Sequence, residues 1–415
     1  MNLKNITNTL LSKAAIIALN FLLVVLSTNL WGSAGRGSIS ILIADVSIIV
    51  ILNNILGGSA VTYFTPKVGF EKLFLPAYMW IITCSFLGSL FFYFTQNVNF
   101  IFLFVLSFFS SLFSVHLYFF TAKENFKLFN IYSLLLPLLN IIFLLFFEFG
   151  IGLKSYKSYL WGYVSSLILL WIISFFKVNK LINLKHLSVS LENIKNTVNY
   201  GYQTELSYFI HFINYRISYF LILHCKGISS VGVFSIGIAI AEAIWVISRS
   251  ISTVQYAKII NNINSDNGIE ITRRLAKFSF NASIIVALIL IIFPNNFYSL
   301  IFGKDFTNIK EIMTLLFPGI TALALSNIHG NYFSATGQLK ILVIKSVAGL
   351  IVTVSLLPIL LPKWGIFGAC IVTSLSYITS SVYLLYKFYK DTTFSIKDFL
   401  ISKSDIQFLI GKNNS

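Results

Sequence analysis

Four ionisable residues fall in two consecutive apolar stretches, Glu205 and Arg216 in one, Glu242 and Arg249 in the next. Asp45 and Lys13 sit in apolar stretches near the N-terminus. A charge at the centre of a bilayer costs roughly 3 kcal/mol or more, so it normally faces a partner or a water-filled cavity. Arginine brings a planar fork of donors suited to phosphate and carboxylate. A carboxylate can pair with that fork or hold a proton or cation. At about 1.5 Å of rise per residue on two antiparallel helices, Glu205 comes level with Arg249 and Arg216 with Glu242. Glu205 and Arg216 are eleven residues apart and Glu242 and Arg249 seven, so each pair shares a helix face. Two readings follow. The four charges pin the helices together, or they line a polar path. On the second reading Arg216, Arg249 and Lys13 meet an anionic substrate, while Glu205, Glu242 and Asp45 serve charge pairing or ion coupling. The two coexist if an arginine paired at rest is released to a phosphate.

The elements that carry these residues are membrane spans. Of the 415 residues, 57% are hydrophobic and 11% charged, against about 25% charged in soluble domains. Apolar runs near the length of a transmembrane helix recur from end to end. The spacing predicts an all-α polytopic protein with twelve spans, near 8–30, 39–62, 73–94, 99–120, 128–149, 158–176, 199–223, 231–256, 275–294, 311–333, 341–361 and 365–387. The first reads as an uncleaved span rather than a signal peptide. Residues 391–415 form a polar cytoplasmic tail, an interfacial helix or a disordered end.

Arg36, Lys154, Lys157, Lys226, Lys304, Lys310 and Lys363 fall on one side of these spans, and 21 of the 30 basic residues on the other. The positive-inside rule then places both termini in the cytoplasm. The same bias accounts for most of the +16 net charge without nucleic acid. The three cysteines are scattered and make neither a disulfide framework nor a metal cluster. No phosphate loop, HExxH, CxxC pair or GxSxG is present, and the short loops leave no room for a soluble catalytic domain. The expectation is a protein that is not an enzyme, with no cofactor and no metal.

Two local matches indicate a duplication. Residues 227–235, GISSVGVFS, match 32–40, GSAGRGSIS, as G-x4-G-x2-S, each in the first outer loop of its half. Residues 329–340, HGNYFSATGQLK, match 116–127, HLYFFTAKENFK, as H-x3-F-[ST]-A-x4-K, each closing a fourth helix. The predicted organisation is two pseudo-symmetric six-helix bundles, 1–195 and 196–390, followed by the tail. Parallel repeats of this kind are a transporter architecture, with the substrate path between the halves. The buried histidines, His116 and His329, are read as hydrogen-bonded structural residues, and Lys345 as reaching the inner surface.

Residues 215–259 carry Arg216-Ile217-Ser218, then Val231-Gly232-Val233-Phe234-Ser235, then Ala241-Glu242 with Trp245. This region resembles the seventh and eighth helices of bacterial oligosaccharide flippases. Those form the polysaccharide-transport branch of the multidrug/oligosaccharidyl-lipid/polysaccharide exporter superfamily. LWGSAGRGSIS is similar to that family's first loop and KWGIFGAC, 363–370, to the start of its last helix. Ser218 departs from the pattern, since many relatives carry an acid there. The resemblance implies O-antigen or capsule repeat units, linked to undecaprenyl pyrophosphate, moved from the inner to the outer leaflet of the bacterial cytoplasmic membrane. It also implies alternating access coupled to a proton or sodium ion. Arg216, Arg249 and Lys13 would meet the pyrophosphate. Tyr200, Tyr202, Tyr208, Tyr215 and Tyr219 can stack sugars or serve as interfacial and core residues. The alternatives are a multidrug exporter of the same superfamily and a membrane polysaccharide polymerase.

Overall fold

The structure is a computed structural model that describes residues 3–96, 98–182, 188–261, 267–390, 392 and 399. The expected tail therefore lies outside the described residues except for positions 392 and 399. All regular elements among the described residues are helical. That is the physical expectation for a chain in hydrocarbon, where each backbone N–H and C=O must be satisfied within its own segment.

Two compact units emerge, Met1–Phe209 and Ile210–Ser415. Unit 1 contains α1 (Leu3–Gly57), α2 (Ser59–Val68), α3 (Glu71–Gln96), α4 (Phe100–Ala122), α5 (Phe126–Leu145) and α6 (Lys157–Asn179). A π-helical turn, Phe146–Gly150, extends α5. Then α7 (Leu191–Lys226) crosses from unit 1 into unit 2. Unit 2 continues with α8 (Ile228–Asn261), α9 (Asn267–Ile292), α10 (Asn295–Phe302), α11 (Ile309–Ala335) and α12 (Leu339–Lys390).

Nine helical stretches among the described residues are long and apolar enough to cross a membrane. Two of them, Ser12–Val68 and Lys340–Lys390, run 57 and 51 residues, more than twice the roughly 20 residues of one crossing. Gly58 separates α1 from α2 in the first, and inside α1 and α12 the helical path is broken at one glycine each, Gly32 (φ 61°, ψ −163°) and Gly365 (φ 58°, ψ −139°). The expected outer loop around residues 31–38 is thus corrected to a single-residue break with helix on both sides. Gly32 occupies a backbone region open essentially only to glycine, so one residue suffices to break the helix and let it resume. The other expected first loop, at 227–235, collapses in the same way. Gly227 (φ 81°) alone separates α7 from α8.

Gly32 and Gly227 are the first glycines of the two matched segments. The second match is equally consistent with a duplicated framework. His116 and His329 are fully buried on α4 and α11, and each helix ends at the matched alanine, Ala122 and Ala335.

The core of unit 1 is aromatic, with Phe70, Phe113, Phe119 and Phe120 buried among Leu and Ile. A polar tie runs through it. Asn53 Nδ2 on α1 donates to Ser85 Oγ on α3 at 2.9 Å and to Ser111 Oγ on α4 at 2.7 Å. In hydrocarbon such interhelical hydrogen bonds supplement close packing. In unit 2, α11 is the central helix, packed against α8, α9 and α12.

The N-terminal half of α7 docks on unit 1 at Gly201, where an added Cβ would lie 1.8 Å from the Ile55 carbonyl oxygen. One turn along, Ser59 and Thr204 share a hydrogen bond of 3.0 Å. Replacing Gly201 by alanine must push α7 off α1. The expected outcome is a loss of about 1–3 kcal/mol, the usual cost of overpacking, read as a lower unfolding temperature of the purified protein. Gly152→Ala, where nothing lies within 4 Å of the added Cβ although φ is positive, should cost less.

Candidate functional site

The intramembrane charges of unit 2 gather around one ion pair. Arg216 on α7 donates through Nη2 to Glu242 Oε1 on α8 at 3.0 Å and through Nη1 to Tyr219 Oη at 2.5 Å. The pairing expected from matched depth on adjacent helices is therefore formed. The one-glycine turn at Gly227 explains the register, since it leaves the two helices antiparallel with no slack between them. The side chains of Arg216 and Glu242 keep 27% and 39% of their exposure, so the pair is open on one side.

Aromatic rings wall the pair. Tyr215, Trp245 and Tyr377 meet mutually at centroid distances of 5.1–5.7 Å, and Tyr219 packs edge-on against Phe234. Trp245 Nε1 and Tyr377 Oη are buried without a hydrogen-bond partner among the described residues. Orphaned donors are rare in a native interior, and these two flank a charged pair. Arg249 is exposed on α8, its guanidinium 5.9 Å from the centre of the Trp245 ring. Arg216, Glu242 and Arg249 thus form one neighbourhood of unit 2, floored by aromatic side chains. Ser218 is buried on the same helix as Arg216.

The other three candidates, Glu205, Asp45 and Lys13, lie in unit 1. Glu205, 3% exposed, makes no ion pair among the described residues. Its neighbours include Tyr118 and Tyr208. Asp45 on α1 is fully buried, and both carboxyl oxygens lack a hydrogen-bond partner among the described residues. Lys13 on α1 is exposed. Of the tyrosines on α7, Tyr200 is stacked in unit 1, Tyr202 and Tyr208 are exposed, and Tyr215 and Tyr219 pack in unit 2.

Sequence reasoning missed a second polar cluster in unit 2. Asn214 Oδ1 accepts from Thr353 Oγ1 and Ser376 Oγ, each at 3.1 Å, and Ser376 Oγ also donates to the Gly349 carbonyl at 2.8 Å. Its one signal in the sequence is the run of Ser, Thr and Gly along α12. Lys345, expected at the inner surface, instead donates to Ser326 Oγ on α11 at 3.1 Å. The absent side chain of Gly330, whose Cβ would lie 3.8 Å from the ammonium, leaves it room. The two histidines are hydrogen-bonded differently. His116 meets Tyr78 Oη and Ser174 Oγ at 2.7 and 2.6 Å, while His329 Nδ1 donates to the Leu325 carbonyl at 2.9 Å. Among the described residues no group of His, Cys, Asp and Glu is arranged to hold a metal ion.

No protein-family model matches the chain, and no curated protein does. Solved structures do match over nearly its whole length. One is a lipid II flippase, MurJ, in an inward closed conformation, with TM-score 0.77 at 16% identity, covering 99% of this chain and 95% of that one. Another is an inward-facing multidrug resistance MATE family transporter of the MOP superfamily, with TM-score 0.72 at 13% identity, covering 93% and 96%. A third is a MOP superfamily transporter from Pyrococcus furiosus, with TM-score 0.61 at 13% identity, covering 93% and 95%. The chain therefore has the all-helical fold of these transporters.

Proposed function

We propose that the protein is a flippase for oligosaccharide repeat units linked to undecaprenyl pyrophosphate. It acts as a transporter rather than an enzyme, moving them from the cytoplasmic to the outer leaflet of a bacterial inner membrane by alternating access. The proposed topology has twelve spans and cytoplasmic termini, reached by dividing the two longest stretches at Gly32 and Gly365 and adding α7. The observation that carries the reading is the half-open Arg216–Glu242 pair beside Arg249. A pyrophosphate needs charge-assisted donors, and a pair open on one side can exchange its carboxylate for a phosphate. The similarity in fold to a lipid II flippase supports a lipid-linked cargo.

Asp45 supports ion coupling. A carboxyl group with no donor and no exposure needs a proton or a cation to offset its charge, and Asp45 is fully buried with no partner for its oxygens among the described residues. Lys13, exposed on α1, is a further cation for the path.

A multidrug exporter is the second reading. Glu205 and Asp45 favour it, as buried acids with no ion pair among the described residues, as does the similarity in fold to a multidrug transporter.

Under the flippase reading, Arg249→Ala and Arg216→Ala each lower surface polysaccharide by about tenfold, the effect of losing one charge-assisted contact, while the protein still inserts at normal abundance. Full export by both variants overturns it, and export of a lipophilic cationic dye in place of the glycan establishes the drug reading. Asp45→Asn tests coupling separately. In proteoliposomes it is expected to leave lipid-linked oligosaccharide binding intact but abolish the stimulation of transport by an imposed proton or sodium gradient. Stimulation equal to that of the unaltered chain removes Asp45 from the coupling step.

A further inference from the structure

Unit 1 holds a cavity of about 780 Å³ lined by α2, α4, the first turn of α5 and Tyr200 on α7. That is within the roughly 300–1,000 Å³ of small-molecule sites. Seven of its nine lining residues carry a hydroxyl. Three of those hydroxyls are committed to the protein. Ser59 bonds Thr204 at 3.0 Å, Thr62 donates to the Tyr118 carbonyl at 3.1 Å, and Thr121 donates to the Leu117 carbonyl at 2.9 Å. The hydroxyls of Tyr63, Ser114, Tyr118 and Tyr200 make no hydrogen bond among the described residues.

Two of these four groups are held in place. Tyr63 and Tyr200 stack at a centroid distance of 4.4 Å and an angle of 11°, and Phe64 meets Tyr200 edge-on at 5.9 Å. The Lys67 ammonium lies 3.5 Å from the centre of the Tyr63 ring. On the sequence, Ser59, Tyr63 and Lys67 recur every four residues along α2, and Tyr200 and Thr204 do so along α7, so each set occupies one helix face. The close approach of Gly201 to Ile55 holds those faces together.

The chemistry of the lining selects a ligand class. A hydroxyl is both donor and acceptor, so four uncommitted hydroxyls on fixed supports match a ligand that is itself rich in neutral hydroxyls. A phosphate would call for arginine, lysine or backbone N–H groups, and none of the lining side chains is basic. A lipophilic cation would call for a carboxylate, and Glu205, although near Tyr118, is not part of the lining.

We propose that this cavity is a saccharide subsite that takes a sugar ring of the cargo on the hydroxyls of Tyr63, Ser114, Tyr118 and Tyr200. The assignment of its cargo rests on the flippase reading. The charge bias along the sequence puts Lys67 and Lys123 on the cytoplasmic side, where such a glycan is presented before translocation.

The test uses the full chain in lipid nanodiscs. Two probes are compared, undecaprenyl-pyrophosphate-linked oligosaccharide extracted from the producing bacterium and undecaprenyl pyrophosphate without sugar. The paired variant Tyr118→Phe with Tyr200→Phe, and separately Tyr63→Phe with Ser114→Ala, remove hydroxyls and keep the rings. Each pair is expected to weaken binding of the glycan-bearing probe by about tenfold and to leave the sugar-free lipid unaffected. Arg249→Ala should weaken both probes. Unchanged affinity in both paired variants, or equal loss for the two probes, overturns the subsite while leaving the flippase reading in place. A selective loss of tetraphenylphosphonium binding instead marks a drug cavity. Failure of the unaltered chain to bind the glycan-bearing probe overturns both.

Discussion

The contact between Arg216 and Glu242 sets the terms for unit 2. A guanidinium among apolar helices needs an acceptor, and removing that acceptor leaves the charge without its partner. Here the acceptor comes from the next helix across a one-residue turn, so the register of α7 on α8 and the state of the charge are a single constraint. Tyr219 takes a second donor of the guanidinium, and Tyr215, Trp245 and Tyr377 close the apolar side. What they leave open decides the use. A pair sealed on every side could only hold two helices together. One whose side chains keep 27% and 39% of their exposure can be reached by water or by another anion.

Much of this framework was legible in the sequence because it follows from constant helical rise. Arg216 and Glu242 lie 11 and 15 residues from the break at Gly227, so the helical rise alone brings them within about one turn of each other. Gly32 and Gly227 were legible as matched residues, although their action was not. A segment rich in Gly and Ser reads as a loop, whereas the positive φ of one glycine lets the helix resume at once. The same rise also suggested Glu205 with Arg249. The helix that carries Glu205 is shared by two units, with Glu205 before the boundary and Arg216 after it.

The polar cluster on α12 was invisible for a different reason. Asn214, Thr353 and Ser376 are 139 and 162 residues apart in sequence, and hydroxyl residues in apolar helices bond to their own backbone more often than to a distant partner. Lys345 was misjudged because its long stem permits two solutions, reaching for the surface or bonding inward. The choice was made by small residues on the facing helix, Ser326 and Gly330. Asp45 shows a further limit. Sequence pattern marks a charge in an apolar stretch, but only three-dimensional packing shows that no donor among the described residues reaches it.

The two units share local features and differ in their chemistry. Both units break a helix at a matched glycine and bury a matched histidine, yet His116 is fixed by Tyr78 and Ser174 whereas His329 bonds its own helix. Unit 1 contains buried acids and a cavity of uncommitted hydroxyls. Unit 2 carries the intramembrane arginines and an acid to hold one of them. On the proposed flippase reading, a cargo made of a neutral glycan and a pyrophosphate presents two recognition problems of opposite character, since donors strong enough for phosphate attract any anion and hydroxyls suited to sugar discriminate little by charge. On that reading, assigning them to separate units lets each be solved without compromising the other, and the asymmetry in polar residues between the units follows from a division of task.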